Sequence, residues 1–173
     1  AMGTDHIVGG EAEMTLAPFL EDLARGNARQ VYQEKDVIAQ TSLALTTNNK
    51  PRMDQVTVIP RWDLVEVRMY SSLALQYSRG CPFDCEFCDI TQIFGRSSRT
   101  KTPEQVIKEL EAILATGFRG SIFIVDDNFI GNKNEVRKLL RALKDWQEKH
   151  CFPFSFFTEA SLNLANPDMS DVL

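Results

Sequence analysis

Apolar residues in the second half of the chain follow two alternating spacings, which predict a succession of strands and helices. Residues 103–116 and 133–149 carry apolar side chains three and four positions apart, as on one face of an α-helix. Short β-prone runs lie around them, over 73–78, 121–125 and 154–158. The middle run is apolar without alternation, which is typical of a parallel strand covered on both faces. This order predicts right-handed parallel units and therefore an α/β fold.

Capping residues mark the ends of the predicted helices. Thr102 precedes Pro103, and Gln105 follows three positions after Thr102, which is the pattern of a capping box with proline in the first turn. Gly117 is placed to end that helix. Asn132 is the predicted start of the second helix, and a further helix is predicted to begin at 166–168 after the third strand.

The first 70 residues predict less regular structure. Residues 7–8 have the pattern of a short strand that runs into a glycine turn. A helix is predicted next, with Thr15 as its N-cap and Gly26 at its C-terminal end. Its apolar face consists of Leu16, Phe19, Leu20 and Leu23. The other predicted pieces are extended segments at 31–32 and 37–39, an exposed turn at 46–51, and β-prone segments at 56–60 and 64–67.

Three of the four cysteines lie within eight residues, directly after the first predicted strand of the α/β region. Cys81, Cys85 and Cys88 are separated by three residues and then by two. Thiolates are soft ligands that suit iron–sulfur clusters, zinc and copper(I). Since most iron–sulfur clusters have four cysteine ligands, three would leave one iron without a protein ligand. An open metal position is typical of a catalytic site.

Polar residues also follow the other two predicted strands. Asp126, Asp127 and Asn128 come directly after the second strand, and Glu159 follows the third. Because chemistry in parallel sheets gathers at the carboxyl ends of the strands, these side chains are expected on the same rim as the cysteines.

Composition narrows the functional classes. The chain has 173 residues, 43% of them hydrophobic, which is enough for a packed core. The net charge of −5 and the lack of a basic run argue against a nucleic-acid partner. No apolar run reaches the roughly 18 residues that span a bilayer. Four cysteines are too few for a disulfide scaffold, so free thiols predict a reducing, cytoplasmic location.

A second interpretation of the cysteines is a closed, structural zinc site in a binding module. It requires a fourth ligand, for which Cys151 or His150 is available. Cys151 is predicted to be a buried or half-buried thiol at the start of the third strand, at the wrong end for the other three cysteines. The basic residues Arg96, Arg99 and Lys101 follow the loop. Their open interpretations are solvated surface, contacts to an anion and contacts to a neighbouring domain.

With Phe87 before its last cysteine, the loop resembles the three-cysteine motif of the radical S-adenosylmethionine (SAM) enzymes. The resemblance implies a [4Fe–4S] cluster on Cys81, Cys85 and Cys88, with SAM chelating the fourth iron through its amino and carboxylate groups. An electron from the cluster then cleaves SAM into methionine and a 5′-deoxyadenosyl radical. In that family the aromatic residue at the position of Phe87 packs near the adenine.

The resemblance also implies SAM contacts at the strand ends. Asp126, Asp127 and Asn128 occupy the position where the family holds the methionine amino group, without indicating which aspartate faces SAM. Glu159 occupies a position that often contacts SAM or substrate.

The flanking residues 78–80 and 94–96 further resemble the subgroup that carries an N-terminal cobalamin-binding domain. This implies three parts. Residues 1–26 would be the last strand and helix of that Rossmann-like domain, and residues 27–70 a linker. Residues 71–173 would be the first half of a radical SAM (β/α) barrel. Cobalamin would bind only in a full-length parent, because the corrin-ligating histidine motif is absent here.

The chain has room for three of the family's six strand–helix units, which implies a fragment with little or no turnover of its own. The parent's reaction would be methylation of an unactivated carbon, ring formation or another radical rearrangement. The expected partners are a small-molecule substrate and an electron donor such as flavodoxin or ferredoxin. Self-association of the fragment is expected because half a barrel exposes a sheet edge.

Overall fold

The computed structural model describes residues 3–38 and 50–173, and the described chain forms two compact units. The first unit is Ala1–Thr57 and the second is Val58–Leu173. Two predictions lie partly outside the described residues. These are the turn at 46–51, of which residues 46–49 are outside, and the segment at 37–39, of which residue 39 is outside.

The described residues of the first unit form two short parallel strands and three helices. Strand β1 (Ile7–Val8) pairs with β2 (Val31–Tyr32), so both predicted strands are confirmed. The helices are α1 (Ala12–Ala24), α2 (Glu34–Ile38) and α3 (Met53–Val56). The extended segment predicted at 37–38 is wrong, since these residues end α2.

Helix α1 begins before the predicted cap. Its N-cap is Glu11, and Thr15 lies inside the helix, where its buried hydroxyl donates to the Glu11 carbonyl. The start is fixed by tertiary contacts, because the Glu11 N–H donates to Glu34 Oε1 at 2.9 Å and Lys50 pairs with Glu34 at 2.6 Å. The helix ends as predicted at Gly26, which has a φ of +71°.

The second unit is built on a parallel sheet. Strands β3 (Ser72–Leu75), β6 (Gly120–Ile124) and β7 (Phe154–Thr158) form this sheet. The unit also contains β4 (Ser78–Arg79) and β5 (Arg99–Thr100), which pair with each other. Its helices are α4 (Ile90–Ile93), α5 (Pro103–Ala115) and α6 (Lys133–Lys149). The sheet order is β3-β6-β7 with all neighbours parallel, which confirms the α/β fold class. The described strands form no closed barrel.

Helices α5 and α6 pack against one face of the sheet as their spacing predicts. The capping box of Thr102 and Gln105 is present, and Asn132 caps α6 by accepting from the Glu135 N–H at 3.3 Å. Trp146 stacks on Phe154 with ring centroids 5.7 Å apart. The buried apolar residues of this core on α5 and α6 are Val106, Leu110, Ile113, Val136, Leu139, Leu143 and Trp146.

The opposite face of the sheet is partly open, which differs from the predicted burial of 121–125 on both faces. Phe123 and Phe157 stack in parallel with centroids 4.8 Å apart, and Phe157 is 48% exposed. Val125 is also exposed. Of the apolar run at 121–125, the residues on one face of the sheet are therefore covered by α5 and α6, and those on the other face are not.

Three other segments differ from the sequence-based expectations. Residues 56–60 are not a strand, since Val56 ends α3 and residues 57–60 have no regular structure. Residues 64–67 are not a strand either, because this region forms helical turns at Trp62–Leu64 and Val67–Met69. The first strand of the sheet ends at Leu75, and residues 78–79 pair instead with β5. The helix predicted at 166–168 is only a single turn at Pro167–Met169.

Lys101 is buried, which excludes a solvated position for it. Its Nζ lies 2.5 Å from Glu109 Oε1, and the two side chains are 5% and 4% exposed. Burial raises the pKa of Glu109, and the ion pair with Lys101 opposes that rise. Arg99 is buried as well, while Arg96 pairs with Asp84 at the surface.

The described residues contain no helix with the length and hydropathy needed to cross a membrane.

Candidate functional site

A short antiparallel ladder closes the base of the loop that carries the cysteines. Ser78 pairs with Thr100 and Arg79 with Arg99 in the β4–β5 ladder. The cysteine loop (residues 80–89) begins at Gly80, which has a φ of +89°. A Cβ at Gly80 would lie 2.6 Å from the Ser97 carbonyl oxygen. Only glycine fits this stem, because the conformation and the close approach both exclude a side chain.

The three thiols of the loop are free and accessible. Cys81 and Cys88 are half-buried and Cys85 is exposed. The Cys88 N–H donates to the Cys85 carbonyl at 3.0 Å, and Phe87 is 90% exposed. Among residues 3–38 and 50–173, no three His, Cys, Asp or Glu side chains converge as a metal site. The loop therefore carries three accessible thiols beyond the carboxyl end of β3, and their side chains do not converge on one point.

Asp126 connects the end of β6 to the stem of this loop. Its Oδ1 accepts from the Tyr77 N–H at 2.7 Å, and its Oδ2 accepts from the Ser78 hydroxyl at 2.6 Å. The carboxylate is buried, and this burial raises its pKa, while the hydrogen bonds from Ser78 and Tyr77 oppose the rise. The negative charge of Asp127 raises the pKa further.

Asp127 and Asn128 continue along the same stem. Asp127 is exposed, and its Oδ2 accepts from the Gly80 N–H at 3.2 Å. Asn128 is buried, and its Nδ2 donates to Cys81 Sγ at 3.8 Å. Residues 126–128, hereafter the strand-end triplet, thus contact the stem in chain order up to the first cysteine.

Glu159 joins this arrangement through its backbone. Its carbonyl accepts from the Phe129 N–H at 3.1 Å, while its side chain is exposed. The Ser161 N–H donates to Asn128 Oδ1 at 3.2 Å. The ends of β3, β6 and β7 are therefore connected through the strand-end triplet, as expected for polar residues at the carboxyl ends of parallel strands.

Sequence reasoning gave no role to several residues that build the site. The Ser78 hydroxyl, the Gly80 conformation and the Ser161 N–H all hold the strand-end triplet or the loop in place. A glycine directly before the first cysteine is the one signal in the sequence that points to a constrained stem. The backbone N–H groups that donate to the strand-end triplet cannot be identified from the residue types.

A zinc site with Cys151 or His150 as fourth ligand does not fit this geometry. Both precede β7, whose five residues span roughly 16 Å, and the cysteine loop lies beyond the opposite end of the sheet. His150 Nδ1 lies 2.9 Å from the Trp146 carbonyl oxygen, and its ring stacks on Trp146. The prediction that Cys151 is buried or half-buried is wrong, since this residue lies in a turn with a φ of +58° and is exposed.

Comparison with protein families identifies the loop and the strand-end triplet as parts of one known domain. The Radical SAM superfamily profile matches residues 75–162, which include the cysteine loop, the strand-end triplet and Glu159. The chain belongs to the radical SAM superfamily. The predicted resemblance is therefore confirmed, and the domain is that of an iron–sulfur enzyme.

Several curated proteins resemble almost the whole chain. An uncharacterised methyltransferase of Synechocystis is 47% identical over 164 residues, covering 95% of this chain and 28% of that protein. A hopanoid C-2 methylase of Rhodopseudomonas palustris is 35% identical over 167 residues, covering 96% and 29%. The bacteriochlorophyllide d C-8(2)-methyltransferase of Chlorobaculum tepidum is 24% identical over 152 residues, covering 84% and 32%. The chain spans less than a third of each relative.

The residues of this radical SAM domain fit a cluster by their donor chemistry. Three soft thiols on one accessible loop suit an iron–sulfur cluster that keeps one iron open. The half-buried Cys81 receives a hydrogen bond from a buried amide, which suits a sulfur that carries negative charge. The family therefore implies a [4Fe–4S] cluster and SAM, and the thiols present are of the type that such a cluster needs.

Proposed function

We propose that this chain is part of a longer, cobalamin-linked radical SAM enzyme that methylates a small-molecule substrate. The observation that carries the proposal is the connection of a three-thiol loop to the carboxyl end of a parallel sheet by the strand-end triplet. The names of the relatives, which include hopanoid and bacteriochlorophyllide methyltransferases, support methylation over other radical reactions. A ring-forming reaction is the alternative, since one relative is a protoporphyrin ester cyclase of Rubrivivax gelatinosus.

In this proposal Cys81, Cys85 and Cys88 hold the [4Fe–4S] cluster. When bound, the cluster supplies the electron that cleaves SAM into methionine and a 5′-deoxyadenosyl radical. The β4–β5 ladder and Gly80 fix the stem of the loop, while Cys85 remains exposed for metal assembly. Phe87 is accessible, as a residue that packs on an adenine must be before SAM binds.

Asp127 is the aspartate that we assign to the SAM amino group. Both carboxylate oxygens of Asp126 accept hydrogen bonds from the stem, and the residue is only 5% exposed. Asp127 is exposed beside Gly80, one residue from the first cysteine. An ammonium group donates hydrogen bonds and therefore favours a carboxylate that is accessible and can accept them, as Asp127 can. Glu159 is proposed as a second, peripheral contact to SAM or substrate.

Residues 71–173 are proposed to be the first half of the radical SAM barrel, with the remaining strand–helix units supplied by the parent. The stacked pair formed by half-buried Phe123 and exposed Phe157 would then face the barrel interior. Strand β1 and helix α1, within residues 1–26, are proposed to be the last strand and helix of a cobalamin-binding domain, with 27–70 as the linker. An isolated half barrel is expected to self-associate through its open edges and to turn over little substrate.

The proposal is tested by reconstituting the chain with iron and sulfide under anaerobic conditions. About four irons per chain are expected, with an EPR signal that shifts when SAM is added. Iron uptake without a shift would contradict SAM binding by this chain and leave the cluster assignment intact. One tightly bound zinc with no iron uptake would overturn the proposal.

Two cysteine variants provide matched controls for that experiment. Cys85→Ser is expected to abolish iron uptake because it removes one of three ligands. Cys151→Ser is expected to leave iron uptake unchanged, since Cys151 lies at the opposite end of β7. Loss of metal in both variants would favour the zinc alternative. A cognate electron donor such as flavodoxin or ferredoxin is expected to reduce the wild-type cluster.

A further inference from the structure

The amide of Asn128 is held between the cysteine loop and the end of β7. It is 4% exposed. Its Nδ2 lies 3.8 Å from Cys81 Sγ, and its Oδ1 lies 3.2 Å from the Ser161 backbone nitrogen. Its backbone carbonyl accepts from the Gly131 N–H at 2.9 Å. The residue is therefore fixed at both its backbone and its side chain.

The orientation of this amide follows from chemistry as well as from the coordinates. The Ser161 backbone N–H can only donate, so the Asn128 atom that faces it must be the carbonyl oxygen. The NH₂ group must then face Cys81. The opposite orientation would place two N–H donors against each other in a buried position, which is unfavourable. The sulfur of Cys81 thus faces an N–H donor whose orientation is set by the backbone N–H of Ser161, after the end of β7.

We infer that Asn128 is a positioning residue that sets the reduction potential of the cluster by donating a hydrogen bond to the Cys81 sulfur. The inference rests on the proposed function, because it requires the cluster on Cys81. Reduction adds negative charge to the cluster and its sulfur ligands. A fixed N–H donor stabilises that charge and favours the reduced form, as hydrogen bonds to the ligand sulfurs generally do.

This role differs from the contact to SAM that the family resemblance implies for Asn128. Both polar ends of its side chain already have partners within the protein. Asp127, one residue earlier, is exposed and retains access to a ligand. The three residues of the strand-end triplet would therefore have different roles. Asp126 holds the stem, Asp127 contacts SAM, and Asn128 sets the reduction potential of the cluster.

Two substitutions separate the bond to sulfur from the bond to Ser161. Asn128→Asp retains an oxygen for the Ser161 N–H but removes the donor to Cys81. Asn128→Leu removes both bonds without adding charge. In each variant the midpoint potential of the reconstituted cluster is measured by an EPR-monitored redox titration, with iron content determined separately. Tryptophan fluorescence checks the fold, since both tryptophans, Trp62 and Trp146, belong to the second unit.

The expected result is a lower potential in both variants. Asn128→Leu should disfavour the reduced cluster by about tenfold, or 59 mV for one electron, as expected for a lost charge-assisted hydrogen bond. Asn128→Asp should lower the potential further because it adds negative charge near the sulfur. The matched control Asn166→Leu makes the same change at an exposed position outside the site and should leave the potential at the wild-type value.

The possible failures have different meanings. A wild-type chain that takes up no iron would overturn the proposed function and this inference with it. A wild-type cluster whose potential is the same in Asn128→Leu would overturn the inference alone. Folded variants that hold no cluster at all would also contradict it, because Asn128 would then be needed for assembly of the cluster and not for its potential.

Discussion

The cysteine loop and the strand-end triplet lie side by side but are built in opposite ways. The loop exposes Cys85 and Phe87 and is held mainly at its stem. In the strand-end triplet, Asp126 and Asn128 are buried, and each side chain makes two hydrogen bonds to other segments. The thiols that a metal could use lie in the loop, and the strand-end triplet supplies contacts that position the stem of that loop.

This difference suits the proposed site, which would receive its metal after folding. Thiols that assemble a cluster must be reachable, so they cannot all be packed in a core. Precision must then come from a rigid neighbour, and elements at the ends of strands provide it better than a free loop does. The stability of the chain should therefore depend on the stem and the strand-end triplet, and metal binding should depend on the loop.

The largest expected effect on stability is at the stem. Gly80→Ala combines a positive φ with a 2.6 Å contact to the Ser97 carbonyl and should lower the free energy of unfolding by about 4 kcal/mol. Gly117→Ala is the matched control, because Gly117 has a φ of +84° but no atom within 4 Å of its Cβ position. It should cost about 1 kcal/mol. Urea unfolding followed by tryptophan fluorescence measures both, and equal losses would show that the stem is not tightly packed.

The next effect distinguishes two neighbouring aspartates. Asp126→Leu leaves the Tyr77 N–H and the Ser78 hydroxyl buried without their acceptor and should cost about 3 kcal/mol in urea unfolding. Asp127→Leu removes one bond at an exposed position and should cost about 1 kcal/mol. If the second variant were as unstable as the first, the burial difference between them would not matter for stability.

A smaller effect is expected in the pH dependence of stability. Burial raises the pKa of Asp126 above its unfolded value, so its contribution to stability is present at low pH and is lost as the pH rises through the folded pKa. The substitution Asp126→Asn removes this titration. The variant should therefore lose less stability than the wild type as the pH rises from about 4, the ordinary aspartate value, to neutrality.

The comparison is made with the metal-free chain by urea unfolding at a series of pH values. Asp126→Asn is conservative, because an amide oxygen can accept from the Tyr77 N–H while its NH₂ donates to the Ser78 oxygen. Glu109, whose pKa is also raised by burial, is present in both proteins, so its contribution cancels in the difference. Parallel stability curves for the two proteins would rule out titration of Asp126 as a contributor.

The smallest effect on stability is expected in the cysteine loop itself. Cys85→Ser changes an exposed side chain and should alter the free energy of unfolding of the metal-free chain by no more than about 0.5 kcal/mol. The same variant is expected to lose iron uptake. A large loss of stability without metal would mean that the loop contributes to folding, and the contrast between the two regions would disappear.

Much of the second unit was predictable because its signals are local. The capping box at Thr102, the cap at Asn132 and the bounds of the strand at 154–158 agree with the structure. Each depends on residues within one helical turn or one strand. The presence of candidate ligands at strand ends was equally predictable, because strand order alone brings those ends to one edge.

Two of the differences between expectation and structure arise from long-range contacts. Thr15 was a plausible cap, but contacts of Glu11 with Glu34, 23 residues away, start α1 earlier. The basic stretch after the cysteines was open to interpretation as surface, yet Lys101 is buried in an ion pair with Glu109 on α5. Residues 56–67 lack periodicity, so β-propensity alone was a poor guide to their helical turns.

The sequence by itself determined the donor atoms and the edge of the sheet at which they lie. Thiol spacing is a covalent property, and strand order follows from local apolar patterns. Only the tertiary structure decided which side chain of the strand-end triplet faces the stem, which remains accessible and which donates to Cys81. These choices depend on backbone N–H groups of Tyr77, Gly80 and Ser161, which every residue type except proline provides and which no sequence pattern can therefore identify.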